Sequence, residues 1–132
     1  MKRLRAVAVS IATLAALAGC GTAPPAAKSG GLMDVAEQPA QKALLAGIRA
    51  YDDARYPEAE RQFRQALGAG LALAKDRAAA RKHLAFIACT SNRISVCEAE
   101  FVAARQADPA FALSKSEAGH PLWGPVYKRL QR

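Results

Sequence analysis

Residues 47–67 read Gly47-Ile48-Arg49-Ala50-Tyr51-Asp52-Asp53-Ala54-Arg55-Tyr56-Pro57-Glu58-Ala59-Glu60-Arg61-Gln62-Phe63-Arg64-Gln65-Ala66-Leu67, and their spacing returns 38 residues later. Gly47, Ile48 and Ala50 fall on Ala85, Phe86 and Ala88; Tyr56 falls on Ile94, Ala59 on Cys97, Phe63 on Phe101 and Ala66 on Ala104. A repeat of this length is one supersecondary unit that needs its neighbour to bury a core. Each unit places a small residue in its first helix (Gly47 or Ala85) and another in its second (Ala59 or Cys97). Small residues there let two antiparallel helices approach closely, while the phenylalanine fills the groove between them. Asp108-Pro109 closes the second unit, because proline cannot continue a helix.

Outward from this stretch the pattern predicts helices at 41–54, 57–68, 74–91, 94–107 and 121–131. Pro57 suits a first helical turn. Ser95-x-x-Glu98 and Ser114-x-x-Glu117 have capping-box spacing, although the repeat register starts the first of these helices slightly earlier. Gly47, Tyr51, Tyr56, Ala59, Phe63, Ala66 and Leu67, then Leu84, Phe101, Ala104 and Pro109, resemble the tetratricopeptide repeat. The first unit departs after Leu67, where Gly68-Ala69-Gly70-Leu71 lengthens the connection. Repeats of this kind need about three units for a complete core, so two units require the C-terminal tail as a cap. The expected fold is all-α: two tetratricopeptide-like units and a C-terminal capping helix over residues 41–132, preceded by a signal peptide and a flexible linker.

Composition agrees. Of 132 residues 52% are apolar but only 6% aromatic, which suits close-packed helices and disfavours a β-sandwich. The length allows one small domain with appendages.

Lys2, Arg3 and Arg5 precede an apolar run from Ala6 to Ala18, interrupted only by Ser10 and Thr13. That run is too short for a hydrocarbon core that needs about 20 helical residues, so 1–19 reads as a signal peptide. Leu17-Ala18-Gly19-Cys20 resembles the bacterial lipobox, which implies lipidation, palmitate included, and cleavage at Cys20. Bacterial lipoproteins of this type carry three acyl chains, and two or more suffice for a stable anchor. Gly21, where an aspartate would imply inner-membrane retention, points in a Gram-negative host to the outer membrane. Residues 20–40 then read as the lipidated cysteine and a Pro/Gly-containing linker, spanning roughly 25 Å as a flexible chain. Within it, Leu32-Met33-Asp34-Val35-Ala36 has the alternative of a short helix docked on the domain. Removing the leader reduces the formal charge from +8 to +5. No basic stretch interleaved with aromatics is present, so nucleic acid is not an expected partner.

Cys89 and Cys97 fall on facing helices of the second unit and would be exported to an oxidising compartment, where a disulfide is expected. The alternative is two reduced, buried cysteines acting as small apolar residues. Cys89, Cys97, His83 and His120 lack metal-knuckle spacing, so no metal is expected. His83, inside an amphipathic helix, reads as a partly exposed structural histidine. No Gly-rich phosphate loop or nucleophile elbow occurs. The chain reads as a non-enzyme with no cofactor and no small-molecule substrate.

The tail Gly119-His120-Pro121-Leu122-Trp123-Gly124-Pro125-Val126-Tyr127 places Trp123 and Tyr127 on one face if helical, either as a cap or as an exposed aromatic anchor for a partner. Lys82-His83-Leu84-Ala85-Phe86-Ile87-Ala88-Cys89, Cys97-Glu98, Phe101, Ala104-Arg105, Asp108-Pro109-x-Phe111-x-Leu113 and Glu117-x-Gly119-His120-Pro121-x-Trp123-Gly124-Pro125-Val126 together resemble the TssQ family of lipoproteins associated with type VI secretion. The resemblance implies a membrane-tethered, non-catalytic scaffold with a protein partner in an envelope secretion complex. The alternatives are a general periplasmic or cell-wall adaptor and a small cell-wall enzyme or its regulator. Solenoids bind through the concave face of their first helices, so Arg49, Asp53, His83 and Ile87 are the expected contacts, with Trp123 and Tyr127 as a second surface. An acidic residue beside an apolar anchor is expected on the partner. In the alternative, Arg49 and its neighbours are merely solvated and Ile87 packs against the cap.

Overall fold

The computed structural model describes residues 38–132. The expected signal peptide 1–19, Cys20, and the expected linker with its alternative docked helix at 32–36 lie outside the described residues, apart from residues 38–40. Six helices follow in order: α1 Pro39–Asp52, α2 Tyr56–Gly68, α3 Ala74–Thr90, α4 Ile94–Ala107, α5 Lys115–Ala118 and α6 Gly124–Arg129. The fold is all-α: α1 lies along α2, α3 along α4, and α2 joins the two hairpins through α3.

The two hairpins share their local geometry as well as their sequence spacing. α1 ends at Asp52 and α3 at Thr90, one 38-residue period later, and α2 and α4 begin one period apart. Both turns are closed by the same pair of backbone bonds. Ala54 and Arg55 N–H donate to the Tyr51 and Ala50 carbonyls at 2.9 and 2.7 Å; Asn92 and Arg93 N–H donate to the Cys89 and Ala88 carbonyls at 3.2 and 2.8 Å. Inside the first hairpin, a Cβ at Gly47 would stand 2.8 Å from the Phe63 ring. The ring is fully buried against that bare backbone, as the small-residue pattern requires.

The longer first connection is anchored rather than loose. Gly70 takes φ +86°, Leu71 is buried, and Arg77 Nη1 donates to the Leu71 and Ala72 carbonyls at 2.8 Å each. Helix ends differ from expectation by one or two residues in α1, α2 and α3, not at all in α4, and most in the C-terminal tail. α1 already contains Pro39 in its first turn and buries Ala40, so this helix begins two residues ahead of the expected start at 41. α4 starts at Ile94, where the repeat register places it, with no side-chain cap, so Ser95 lies inside the helix and the capping-box spacing at Ser95 and Glu98 is not used. The expected helix at 121–131 shortens to α6, with Pro125 in its first turn, and a separate short helix, α5, precedes it, where Ser114 and Glu117 form a true capping box. Gly124 is required between them, because a Cβ there would lie 2.5 Å from the Ala118 carbonyl oxygen.

The core has two lobes. One gathers Leu44, Phe63, Leu71, Leu84 and Ile87 between the hairpins. The other gathers Phe86, Cys89, Cys97 and Phe101 under Trp123, Val126 and Tyr127 of the cap. Tyr51 packs against both. Arg93 binds the two units across their seam, bidentate on Glu60 at 3.0 and 2.8 Å, and within the second unit Arg81 reaches Glu100 at 2.9 Å.

Candidate functional site

A continuous row of rings crosses the domain. Tyr56 at the start of α2 meets Tyr51 of α1 at 5.5 Å between centroids, and Tyr51 meets His83 of α3 at 5.0 Å. His83 stacks on Phe63 at 4.9 Å and meets Phe86 edge-on at 6.1 Å. Phe86 stacks on Trp123 at 4.1 Å, and His120 closes the row over Trp123 at 3.3 Å. The cap covers one end of this row, while Tyr51 is half-buried and Tyr56 is 41% exposed at the other.

The charges beside the rings come from three elements. Lys82 of α3 donates to Glu117 of α5 at 2.6 Å, and its ammonium lies 5.7 Å over the Phe86 ring. Burial tends to raise the Glu117 pKa, but bonding to Lys82 and to Ser114 outweighs it and holds the carboxyl below its ordinary value. Burial pushes the Tyr51 phenol up, helped by Tyr56, Asp52 and Glu117. Burial lowers the His83 pKa, and Lys82 adds to this against the Ala79 carbonyl, Glu117 and Asp52, which favour the cation. His83 Nδ1 lies 2.8 Å from the Ala79 carbonyl, so the neutral ring carries its proton on Nδ1 and donates there. Aromatic edges beside Asp52 form a surface that can hold a peptide by ring contact and accept from its polar groups.

The expected contact residues separate into two sets. Arg49 and Asp53 are exposed, with Asp53 paired to Arg55 at 2.9 Å. Ile87 is not available to a partner: it is 2% exposed, packed in the lobe between the hairpins. The reason is directional. Arg49 and Ile87 share a repeat position, and that position faces the preceding unit; among the described residues α3 has one and α1 does not. His83 is likewise taken up by its ring contacts in the seam. Trp123 and Tyr127 are buried and form the cap rather than an exposed anchor. Trp123 Nε1–H donates to the Glu117 carbonyl at 2.8 Å, and the Tyr127 hydroxyl accepts from Leu113 N–H at 3.2 Å. Cys89 and Cys97 are joined by a disulfide, S–S 2.09 Å.

Tyr51, Tyr56 and Asp52 as an uncovered end of the aromatic row were not foreseen as contacts. Tyr51 carried a signal in the repeat itself, since the period places it on Cys89, the residue that bridges the second hairpin. Among the described residues, no group of three His, Cys, Asp or Glu side chains is placed to hold a metal, and no helix is long and apolar enough to cross a membrane. Comparison of the chain with protein-family models, curated proteins and solved structures gives no match.

Proposed function

We propose that the protein is a non-catalytic adaptor: a lipoprotein anchored through Cys20 to the periplasmic face of the outer membrane, whose repeat domain holds a protein of a type VI secretion apparatus. The observation that carries the adaptor reading is the pair of period-matched hairpins whose aromatic row is capped at Trp123 and open at Tyr51 and Tyr56. Such helical pairs commonly present a fixed surface to an extended or helical segment. The Cys89–Cys97 bridge supports export to an oxidising compartment. The lipobox-like Leu17-Ala18-Gly19-Cys20 supports the anchor, and the TssQ-like tail supports the secretion association.

The test is a photo-crosslinking residue at Tyr56 in cells that express the apparatus. A crosslink to one of its envelope components supports the reading; crosslinks only to wall-assembly proteins support a general periplasmic adaptor instead. No crosslink to any envelope protein overturns the adaptor role of this face. Fatty-acid labelling of the Cys20→Ser variant tests the anchor separately, and undiminished labelling rejects it.

A further inference from the structure

The repeat exposes one edge that its own symmetry says should be covered. On α3, Ala80, His83 and Ile87 lie along the side that packs against the first hairpin, and Ala80 and Ile87 are fully buried there. One period earlier the same positions on α1 are Lys42, Leu45 and Arg49, all exposed, with Leu45 39% exposed. Beside them runs a groove of about 360 Å³ lined by Pro39, Lys42, Ala43, Ala46, Gln62 and Gln65. The groove floor is apolar at Pro39, Ala43 and Ala46, its far wall carries Gln62 and Gln65, and Lys42 and Arg49 place two cations along the α1 side of the edge.

We infer that this edge is covered by the chain's own residues 32–37, which precede it directly. They read Leu32-Met33-Asp34-Val35-Ala36-Glu37: four apolar side chains and two carboxylates, where the edge offers an apolar floor and two cations. The chain enters the edge at Gln38, whose carbonyl accepts from Lys42 N–H at 2.9 Å. From Pro39 to Arg49 is about 15 Å along the helix, and six extended residues reach roughly 20 Å. A second copy fits less well, because a two-fold contact through this edge brings two Lys42/Arg49 rims together. This inference stands apart from the adaptor reading and does not need it.

Hydrogen–deuterium exchange of the full chain in detergent micelles, read over residues 42–49, tests it. Asp34→Lys with Glu37→Lys should speed exchange there roughly two- to five-fold, the scale of one or two exposed ion pairs. Lys42→Glu with Arg49→Glu should do the same, and all four substitutions together should restore protection. Leu32→Ser with Met33→Ser should also speed exchange, independently of protein concentration. Unchanged exchange in the charge reversals, or no recovery in the four-fold swap, overturns the inference. Protection that grows with concentration assigns the edge to a second copy, and protection gained only on adding envelope extract assigns it to another protein; either outcome overturns it.

Discussion

Ala54 and Asn92, one repeat apart, both hold φ at +58° and close their hairpins with the same two backbone bonds. Asparagine tolerates the left-handed region, whereas alanine is strained there by its Cβ. Ala54→Gly should therefore raise stability by about 1 kcal/mol, and Asn92→Ala should lower it by a similar amount. Urea melts of the two variants check this, and a destabilised Ala54→Gly variant would contradict it.

Gly47 and Gly68 make an internal control. A Cβ at Gly47 meets the buried Phe63 ring at 2.8 Å, while one at Gly68 meets nothing within 4 Å. Gly47→Ala is expected to cost roughly 1–3 kcal/mol through overpacking. Gly68→Ala, at the exposed end of α2, should be neutral or stabilising by up to about 1 kcal/mol. Thermal denaturation of both variants separates packing from propensity.

The Cys89–Cys97 bridge closes a loop of sequence separation 8. The chain-entropy relation assigns it about 2.5 kcal/mol, chiefly through the unfolded state. Cys89→Ala with Cys97→Ala should melt earlier by that amount while keeping its helical circular dichroism. A melting curve identical to that of the oxidised protein would show the bridge to be without consequence for folding.

His83 and Glu60 should give the domain two distinct acid limbs. Burial lowers the His83 pKa from 6.5, so the unfolded chain binds a proton that the folded chain resists. Stability should be constant above about pH 6.5 and fall as the pH drops below it. His83→Phe, which keeps an aromatic ring in the stack, should flatten that limb. Glu60 behaves differently: bonding to Arg93 leads, followed by Arg64, and together they overcome the opposing effect of burial to hold its pKa at about 2 against 4.5. Its contribution is present above pH 4.5 and lost between there and about pH 2. Glu60→Gln should cost about 1 kcal/mol at neutral pH, allowing for solvent screening, and blunt only the lower limb.

Arg49→Glu and Ile87→Ser should part company despite their shared repeat position. The first alters an exposed charge and should leave the melting temperature nearly unchanged. The second puts a hydroxyl into the seam between hairpins and should cost about 3 kcal/mol or more. Equal effects would mean that the two faces are equivalent, contrary to the packing.

Much of this architecture is local and was readable from residue order. The 38-residue period, the Gly47–Phe63 contact and the boundaries of the four long helices follow from small and apolar residues recurring at helical spacing, which is a property of one strand of chain. Ser114 and Glu117 also act as their spacing suggests, while Ser95 and Glu98 do not cap, because the repeated turn at Asn92 has already started α4 at Ile94.

What the sequence by itself determined is therefore the unit: its length, its two helices and the side on which each pair closes. Only the tertiary structure decided which remaining faces are covered and by what. Periodicity reports that a helix face is apolar but not which element lies on it. α3 is buried on two sides, Ile87 against the first hairpin and Phe86 under Trp123, so its pattern could not distinguish a binding groove from a seam. Trp123 lies 37 residues beyond Phe86, and their stacking depends on two short helices meeting at Gly124. A contact of that separation is set by how the elements pack together, and local spacing carries no record of it.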